Sequence, residues 1–274
     1  MTTLVQDHYG ASDIVSRILA AIPWLPEEGK ALTADQLFAY DQLHGRELQA
    51  TKDHAARLNP GKAAHVLDIG SGIGGPARYV ASTFGCHVTG IDLTPEFIAA
   101  ADELTSLCGL SDLSTFVLGD AATIPFEAAA FDHAYCFYVG MNLIDKPAVL
   151  SECLRVLKPG GILLWTEVTS VVGTPYYPLP WSLNAEGSHV DTLEALKGQM
   201  LAAGFEIVSV DDETGAHLEL AKRMKSSGVI PSAGQKQANE VVLGPDFLER
   251  RVNYLKSLSE GRIASTLLVA KKPG

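Results

Sequence analysis

The sequence predicts an α/β fold in which a mostly parallel sheet of seven strands is covered by helices on both faces. Short apolar segments alternate with helical patterns along most of the chain, and such alternation is typical of a buried parallel sheet. The chain has 274 residues, of which 47% are hydrophobic, so it can bury a large core. The predicted strands lie near residues 64–69, 86–92, 115–119, 131–138, 161–168, 205–211 and 263–271.

Helical patterns also occupy the N-terminal segment that precedes this alternation. Apolar residues repeat with helical spacing after Asp13, and further helices are predicted to begin near Thr33 and Arg46. We therefore expect a helical cap over residues 1–60 and a single domain over residues 61–274.

A second helical segment, residues 214–262, separates the sixth predicted strand from the last one. It is too long for an ordinary connection, and its pattern is mostly helical with loop signals from Gly228 to Gly234. We expect a helical insertion before the last strand. It would either close over a substrate or contact a second copy of the chain, so a homo-oligomer remains an open alternative.

The composition argues against several classes of partner. The net charge is −11, whereas binding to a phosphate backbone needs a basic face, so nucleic acid is not an expected partner. No apolar segment has the length of a membrane span, and the first residues lack the basic and then apolar form of a signal peptide. We expect a cytoplasmic protein that acts on a small molecule without membrane contact.

The cysteines give no sign of a metal site or a disulfide framework. The sequence has four of them, with no C-x-x-C pattern and no histidine at ligand spacing. We therefore expect buried, reduced thiols and no metal ion. They are Cys86, Cys108, Cys136 and Cys153.

The most informative segment is a glycine-rich turn that follows the first predicted strand. Residues 66–77 read V-L-D-I-G-S-G-I-G-G-P-A, so an apolar strand leads directly into the turn. Glycines allow the backbone to approach a ligand where a Cβ atom would collide with it. Asp68 lies inside the apolar segment, and a buried carboxylate is costly unless it is hydrogen-bonded. The turn therefore predicts a site for a nucleoside-containing molecule.

Two kinds of nucleoside ligand fit this turn. Gly70, Gly72 and Gly75 satisfy G-x-G-x-x-G, and Asp92 lies at about the 20-residue distance of a ribose-binding acid, so NAD is one candidate. Against NAD, Asp68 stands where dinucleotide-binding folds keep an aliphatic residue. The chain also shows no Tyr-x-x-x-Lys pair for hydride transfer.

Further motifs carry a resemblance to a known family. The turn D-I-G-S-G-I-G-G is followed by the strand end I-D-L, then by G-D-A with I-P-F, and then by R-V-L-K-P-G-G at residues 155–161. In this order and spacing they resemble the class I S-adenosylmethionine-dependent methyltransferases over residues 60–170. The resemblance implies a Rossmann-like, mostly parallel sheet whose last strand, S-T-L-L-V-A-K-K, is antiparallel, and S-adenosyl-L-methionine as the methyl donor.

The resemblance also implies roles for the donor-side residues. Asp92 would accept hydrogen bonds from both ribose hydroxyls, Leu93 would pack on the adenine, and Asp120 and Ala121 would bind the adenine edge. Asp92 as a helix cap and Asp120 as a turn-forming acid are the plainer alternatives. Arg78 would either meet the methionine carboxylate or lie exposed. The full donor-side prediction is Asp68, Gly70, Gly72, Gly74, Asp92, Leu93, Asp120, Ala121 and Phe137.

Three other segments resemble a narrower group, the sarcosine/dimethylglycine methyltransferase-like proteins. They are L-x-x-Y-D-Q-L-H-G-R-E-L-Q-A-T at 37–51, F-Y-V-G-M-N-L-I-D-K at 137–146, and T-P-Y-Y-P-L-P-W-S at 174–182. This chain has Phe137 and Tyr138 where the group tends to show Gln-His. That departure predicts a more apolar acceptor pocket.

The acceptor site is predicted from these segments. His44 would act as a base or a hydrogen-bond anchor, and Tyr138 and Trp181 would hold an amine or the sulfonium by cation–π contact. A structural histidine, core aromatic residues and, for Asn142, a turn cap are the alternatives. The predicted catalytic residues are His44 and Tyr138, and the predicted substrate-binding residues are Gln42, Met141, Asn142 and Trp181.

The sequence thus predicts an enzyme that methylates a nitrogen or oxygen of a small molecule by in-line displacement. The acceptor would be a sarcosine- or dimethylglycine-like amine, or a larger and more apolar metabolite. Two alternatives stay open, namely an NAD-binding oxidoreductase and a catalytically silent donor-binding protein.

Overall fold

Seven strands form one sheet in the order β3-β2-β1-β4-β5-β7-β6. The computed structural model describes residues 13–22, 32–226, 240, 242 and 244–274. Strands β1 to β5 run parallel to one another, whereas β7 is antiparallel to both of its neighbours, β5 and β6. The strands are β1 His65–Ile69, β2 His87–Asp92, β3 Ser114–Leu118, β4 Phe131–Phe137, β5 Leu157–Ser170, β6 Glu206–Asp212 and β7 Ile263–Lys271.

Helices cover both faces of this sheet and precede it in the chain. The described α-helices are α1 Ile14–Ala21, α2 Ala34–Leu37, α3 Glu47–Leu58, α4 Gly75–Phe84, α5 Pro95–Leu107, α6 Lys146–Val156, α7 Leu193–Ala203, α8 Thr214–Ser226 and α9 Phe247–Ser259. Two short 3₁₀ helices, Ala121–Thr123 and Gly140–Asn142, follow β3 and β4. No helix within the described ranges is both long and apolar enough to cross a membrane.

The predicted Rossmann-like α/β sheet with an antiparallel last strand is confirmed. The helix predicted near Thr33 spans only Ala34–Leu37, and β5 begins earlier than predicted, at Leu157. Helices α8 and α9 form the described part of the predicted insertion. Its loop signals from Gly228 to Gly234, like parts of the predicted cap, lie outside the described residues.

The register of the sheet brings the ends of three strands together. Ile69 at the end of β1 pairs with Ile91 of β2 on one side and with Cys136 of β4 on the other. In a parallel sheet, ligands bind beyond the carboxyl ends of the strands. The glycine turn after β1 and the residues that follow β2 and β4 therefore lie at a single edge.

Helix α7 offers a test of the local energetics of this fold. Gly198 lies in its interior, and a Cβ atom added there would meet no atom within 4 Å. Gly198→Ala should stabilise the protein by about 0.5–1 kcal/mol, because glycine loses more backbone entropy than alanine in a helix. Gly204→Ala is the matched control. It should destabilise the protein, because Gly204 ends the helix with φ +106°. Urea unfolding of both variants measures the difference, and a Gly198→Ala protein no more stable than the parent would contradict it.

Candidate active site

A cavity of about 270 Å³ lies at the carboxyl ends of β1, β2 and β4. Residues of the cap segment, which we define as residues 32–58, line one wall, and residues from α8 and α9 line another. The cavity brings together all but one of the residues predicted to form the donor and acceptor sites. Those that line it are Gln42, His44, Asp68, Gly70, Gly72, Asp92, Leu93, Asp120, Ala121, Phe137, Tyr138, Met141, Asn142 and Trp181.

Gly74 is the exception, because it does not line the cavity. Gly70, Gly72 and Gly74 all have positive φ angles, which explains the choice of glycine at each. A Cβ atom on Gly70 would overlap Val139, and one on Gly74 would come within 2.6 Å of Phe116. Glycine at these two positions therefore makes room for protein side chains. Gly70 also lines the cavity, so a close approach of its backbone to a ligand stays a prediction.

Asp92 holds the glycine turn in place through its two carboxylate oxygens. Its Oδ2 accepts a hydrogen bond from Gly72 N at 2.9 Å, and its Oδ1 accepts one from Thr94 N at 2.9 Å. Burial raises the pKa of this carboxyl group. Each oxygen keeps a second acceptor position, so the carboxylate can still bind a pair of hydroxyl groups.

Asp120 begins the 3₁₀ helix that follows β3. Its Oδ1 accepts a hydrogen bond from Ala122 N at 2.8 Å, so the side chain does form the turn that was the plainer alternative. The carboxylate also lines the cavity, and it can accept further hydrogen bonds there. The two alternatives for Asp120 are therefore compatible.

Asp68 is almost completely buried beneath the turn, at 2% exposure. Its Oδ2 has no hydrogen-bond partner among the described residues. Burial, together with the charge of Asp92, raises the pKa of Asp68 to about 8. A buried carboxylate oxygen without a donor is costly, so this atom fits a ligand that supplies a hydrogen-bond donor.

The pKa of Asp68 predicts a pH-dependent stability for the ligand-free protein. The folded state holds the proton more tightly than the unfolded state does, so stability should fall as the pH rises from 3.8 to about 8. Asp68→Asn removes this titration. As the pH rises, the parent should therefore lose unfolding free energy relative to the variant, by up to about 1.4 kcal/mol per pH unit. Urea unfolding from pH 5 to pH 8 measures it, and parallel pH profiles would show the prediction to be wrong.

Arg78 is not the exposed helix arginine that was one of its two predicted positions. Its side chain is fully buried, and it does not line the cavity. Its Nη2 donates to Asp41 Oδ2 at 2.9 Å and to the carbonyl oxygen of Ile73 at 2.8 Å. Asp41 is also fully buried, which the sequence alone could not show.

His44 lies in the wall of the cavity with both ring nitrogens near protein atoms. Nε2 lies 2.9 Å from Thr51 Oγ1, and Nδ1 lies 3.2 Å from the carbonyl oxygen of Gly45. The ring stacks on Tyr138 with a centroid distance of 5.6 Å. Burial lowers the pKa of His44 to about 4, so its ring is neutral near pH 7. These contacts favour an anchoring role over that of a strong base.

Tyr138 is held in a strained backbone conformation with φ +58°. Its hydroxyl lies 2.9 Å from His217 Nε2 and 3.0 Å from Ser265 Oγ. Burial, together with the charge of Glu213, raises the pKa of the phenol. Tyr138 is therefore protonated near pH 7 and acts as a hydrogen-bonding group.

His217 lines the cavity, although no pattern in the sequence predicted it there. It lies on α8 within the insertion, and burial, together with the charge of Arg46, lowers its pKa to about 3. Nothing marks a single histidine in a helical pattern as part of a site. The only available signal was the insertion itself, which is longer than an ordinary connection.

The end of the cavity lined by the residues predicted to bind the acceptor, which we call the acceptor end, is mainly apolar. Met141 and Trp181 are buried there, and Trp181 packs edge-on against Tyr254 with a centroid distance of 6.0 Å. The Trp181 indole donates to Ser188 Oγ at 2.9 Å, so its polar atom is satisfied within the protein. The remaining lining residues at this end include Leu143, Val168, Pro180, Leu220, Ala221, Phe247 and Leu255.

Two polar residues predicted to bind the substrate, Asn142 and Gln42, also line the cavity. Asn142 lines the cavity from a 3₁₀ helix, and the following helix is capped by Asp145, which accepts from Ala148 N at 3.0 Å. The N-cap of that helix is therefore Asp145, and the alternative in which Asn142 caps the preceding turn stays a prediction. Gln42 donates to Asp41 Oδ1 at 2.9 Å and accepts from Thr51 Oγ1 at 2.6 Å, so its amide is largely committed to the protein.

Both arginines that line the cavity are paired with carboxylates. Arg46 lies 2.9 Å from Asp53 and 2.9 Å from Glu213, with only 8% of its side chain exposed. Arg251 on α9 lies 3.4 Å from Glu47. These pairs compensate the positive charge at the acceptor end.

This chain resembles known methyltransferase sequences. Residues 67–165 match the model of a methyltransferase domain. Phosphoethanolamine N-methyltransferase 1 of Arabidopsis thaliana is 33% identical over 193 residues, which are 70% of this chain and 39% of that protein. The sterol 24-C-methyltransferase ERG6B of Gibberella zeae is 37% identical over 128 residues, which are 46% of this chain and 33% of that protein. This chain thus spans less than half the length of either relative.

Solved structures share the fold. The [4+2]-cyclase SpnF superposes with a TM-score of 0.65 at 26% identity, covering 89% of this chain and 98% of that one. A Galdieria sulphuraria protein, provisionally assigned as a sarcosine dimethylglycine methyltransferase, gives a TM-score of 0.62 at 19% identity, covering 82% and 84%. At that identity the likeness shows a common fold and no more. Together, the ordered motifs, the sheet and the match over residues 67–165 show that this chain contains a methyltransferase domain with the class I S-adenosylmethionine-dependent fold.

Proposed function

We propose that this protein transfers the methyl group of S-adenosyl-L-methionine to a nitrogen or oxygen of a small, mainly apolar acceptor. The observation that carries the proposal is the single cavity that joins the glycine turn to the apolar wall around Met141 and Trp181. A donor bound at the turn would point its sulfonium methyl group into the same space that an acceptor would fill.

The donor end fits the donor molecule in three places. The free acceptor positions of Asp92 suit the two ribose hydroxyls, and Asp120 with Ala121 suits the adenine edge. The unpartnered oxygen of Asp68 suits the amino group of the methionine part, which would supply the missing hydrogen-bond donor. Leu93 and Phe137 line the same end and supply apolar contacts.

The protein's own groups would act mainly by positioning. The bound donor supplies an electrophilic methyl group, and placing a nucleophile in line with it removes much of the barrier. His44 and His217 are neutral and Tyr138 is protonated near pH 7, so none of them is an ionised base. The polar atoms of Tyr138 and His44 contact other residues, so we assign both side chains to holding the acceptor wall in place. A nucleophile that is uncharged before reaction suits this set best.

The charges at the acceptor end favour a neutral acceptor molecule over a phosphorylated one. The named activity of the Arabidopsis relative concerns phosphoethanolamine, which carries a phosphate, whereas that of the Gibberella relative concerns a sterol. In this chain Arg46 and Arg251 are both paired with carboxylates. The carboxylates compensate the positive charge that would attract a phosphate, so a neutral acceptor is the better match.

The insertion has a place in this proposal. Helices α8 and α9 contribute His217, Arg251 and Tyr254 to the cavity wall. We therefore propose that α8 and α9 belong to the acceptor site, and that the cap segment supplies the opposite wall through Gln42 and His44.

The test is methyl transfer from a donor with a deuterated methyl group in a cell extract, followed by mass spectrometry. We expect the label in a low-mass compound of the organic-soluble fraction, and none with the Asp92→Ala variant. Label in water-soluble phosphorylated amines would overturn the assignment of acceptor class. Label only in RNA or protein would overturn the small-molecule proposal.

A second candidate function comes from the likeness to a cyclase along nearly the whole chain. In that case the methyltransferase fold would bind the donor without consuming it. The same experiment separates the two, because a cyclase would yield a product of unchanged mass with no deuterium and would release no S-adenosylhomocysteine.

A further inference from the structure

A fully buried ion pair joins the cap segment to the glycine turn. Arg78 Nη2 donates to Asp41 Oδ2 at 2.9 Å and to the carbonyl oxygen of Ile73, within the turn, at 2.8 Å. Arg78 Nη1 donates to Thr105 Oγ1 on α5 at 3.0 Å. One guanidinium group therefore connects the cap, the turn and the helix that follows Asp92.

Hydrogen bonds continue from this ion pair to the acceptor end of the cavity. Asp41 Oδ1 accepts from Gln42 Nε2 at 2.9 Å, and Gln42 Oε1 accepts from Thr51 Oγ1 at 2.6 Å. The same Thr51 oxygen lies 2.9 Å from His44 Nε2. Gln42 and His44 both line the cavity, so an unbroken series of contacts links the donor turn to the acceptor wall.

The backbone of the cap also rests directly on the turn. A Cβ atom at Gly75 would overlap the carbonyl oxygen of Asp41, and it would lie 2.7 Å from Gln42 Nε2. A backbone atom cannot move aside as a flexible side chain can. The position of Asp41 relative to the first turn of α4 is therefore fixed by packing as well as by charge.

We propose that Asp41 and Arg78 form a positioning pair, which keeps the cap in register with the donor turn so that a bound donor determines where His44 lies. The inference rests on the proposed donor site. Burying two charges is costly, and replacing a buried ion pair by apolar residues is often neutral for stability, whereas removing one partner is not. Stability and positioning can therefore be separated by experiment.

The first test compares donor affinity with thermal stability. The variants are Asp41→Asn, the double variant Asp41→Leu with Arg78→Met, and the control Leu196→Ala. Leu196 is buried in the cluster that contains Met200 and Phe205, and it does not line the cavity. Calorimetry with S-adenosylhomocysteine is carried out below the melting temperature of each variant.

We expect Asp41→Asn to bind S-adenosylhomocysteine about tenfold more weakly than the parent. The double variant should have a higher melting temperature than Asp41→Asn, but its donor affinity should stay as weak. If Asp41→Asn does not fold, the double variant alone is compared with the parent. Leu196→Ala should lose melting temperature and keep its affinity. A double variant that binds like the parent, or a control that loses affinity equally, would overturn the inference.

The second test measures His44, which lies at the acceptor end of this series of contacts. In the parent, adding S-adenosylhomocysteine should shift the NMR signals of the His44 ring nitrogens, and in the double variant at saturating ligand this shift should be lost. An equal shift in both proteins would overturn the inference, because His44 would then respond to the donor without the Asp41–Arg78 pair. A parent protein that does not bind S-adenosylhomocysteine would contradict the proposed function, and this inference with it. Binding that the variants leave unchanged would contradict the inference alone.

Discussion

Asp92→Ala is expected to weaken the binding of S-adenosylhomocysteine by at least about 100-fold. The carboxylate accepts hydrogen bonds from Gly72 N and Thr94 N, and in our proposal it also accepts them from the two ribose hydroxyls. Hydrogen bonds to a charged group contribute about 1.5–3 kcal/mol each, so two lost ligand contacts account for that factor or more. Loosening of the turn would add to the effect.

The control for this measurement is Asp102→Ala, on the helix that follows β2. Asp102 is exposed and does not line the cavity, so its removal should leave donor affinity unchanged. Isothermal titration calorimetry of both variants at one pH gives the comparison. Equal affinities for Asp92→Ala and the parent protein would contradict the placement of the donor.

The second large effect is expected from Gly75→Ala. The added Cβ atom would overlap the carbonyl oxygen of Asp41, which is backbone and cannot rotate away. Overpacking of this kind costs about 1–3 kcal/mol, and the strain can be relieved only by moving the cap away from α4. We therefore expect both a lower unfolding free energy and a weaker affinity for S-adenosylhomocysteine.

Gly61→Ala is the matched substitution at an open position. A Cβ atom there would meet nothing within 4 Å, so stability should change by no more than about 0.5 kcal/mol. Urea unfolding and calorimetry on the two variants separate the specific overlap from a general effect of replacing glycine. A Gly75→Ala protein with the stability and affinity of the parent would rule out the close packing of Asp41 on the turn.

The features that the sequence predicted well are those with local signals. An apolar strand followed by glycines specifies the strand-to-turn geometry within about ten residues, and the ordered motifs predicted the sheet with its antiparallel last strand. The residues after each strand end were placed at one edge by the sheet alone. Asp92 and Asp120 therefore reached the cavity as predicted.

The features that the sequence could not predict depend on contacts between distant residues. Arg78 gave no local sign that it would be buried, because its partner Asp41 comes from another segment of the chain. Gly74 has the same residue type as Gly70 and Gly72, yet it faces Phe116 rather than the cavity. His217 reaches the site only because the insertion folds back against Tyr138. Three-dimensional packing decided each of these.

The measurement that tests the central claim most directly is calorimetric titration of the unmodified protein with S-adenosylhomocysteine and, separately, with NAD. The account predicts saturable binding of S-adenosylhomocysteine, competed by S-adenosyl-L-methionine, and no binding of NAD. Binding of NAD with no response to S-adenosylhomocysteine would contradict it, because the cavity between Asp92 and Trp181 would then hold a different nucleoside.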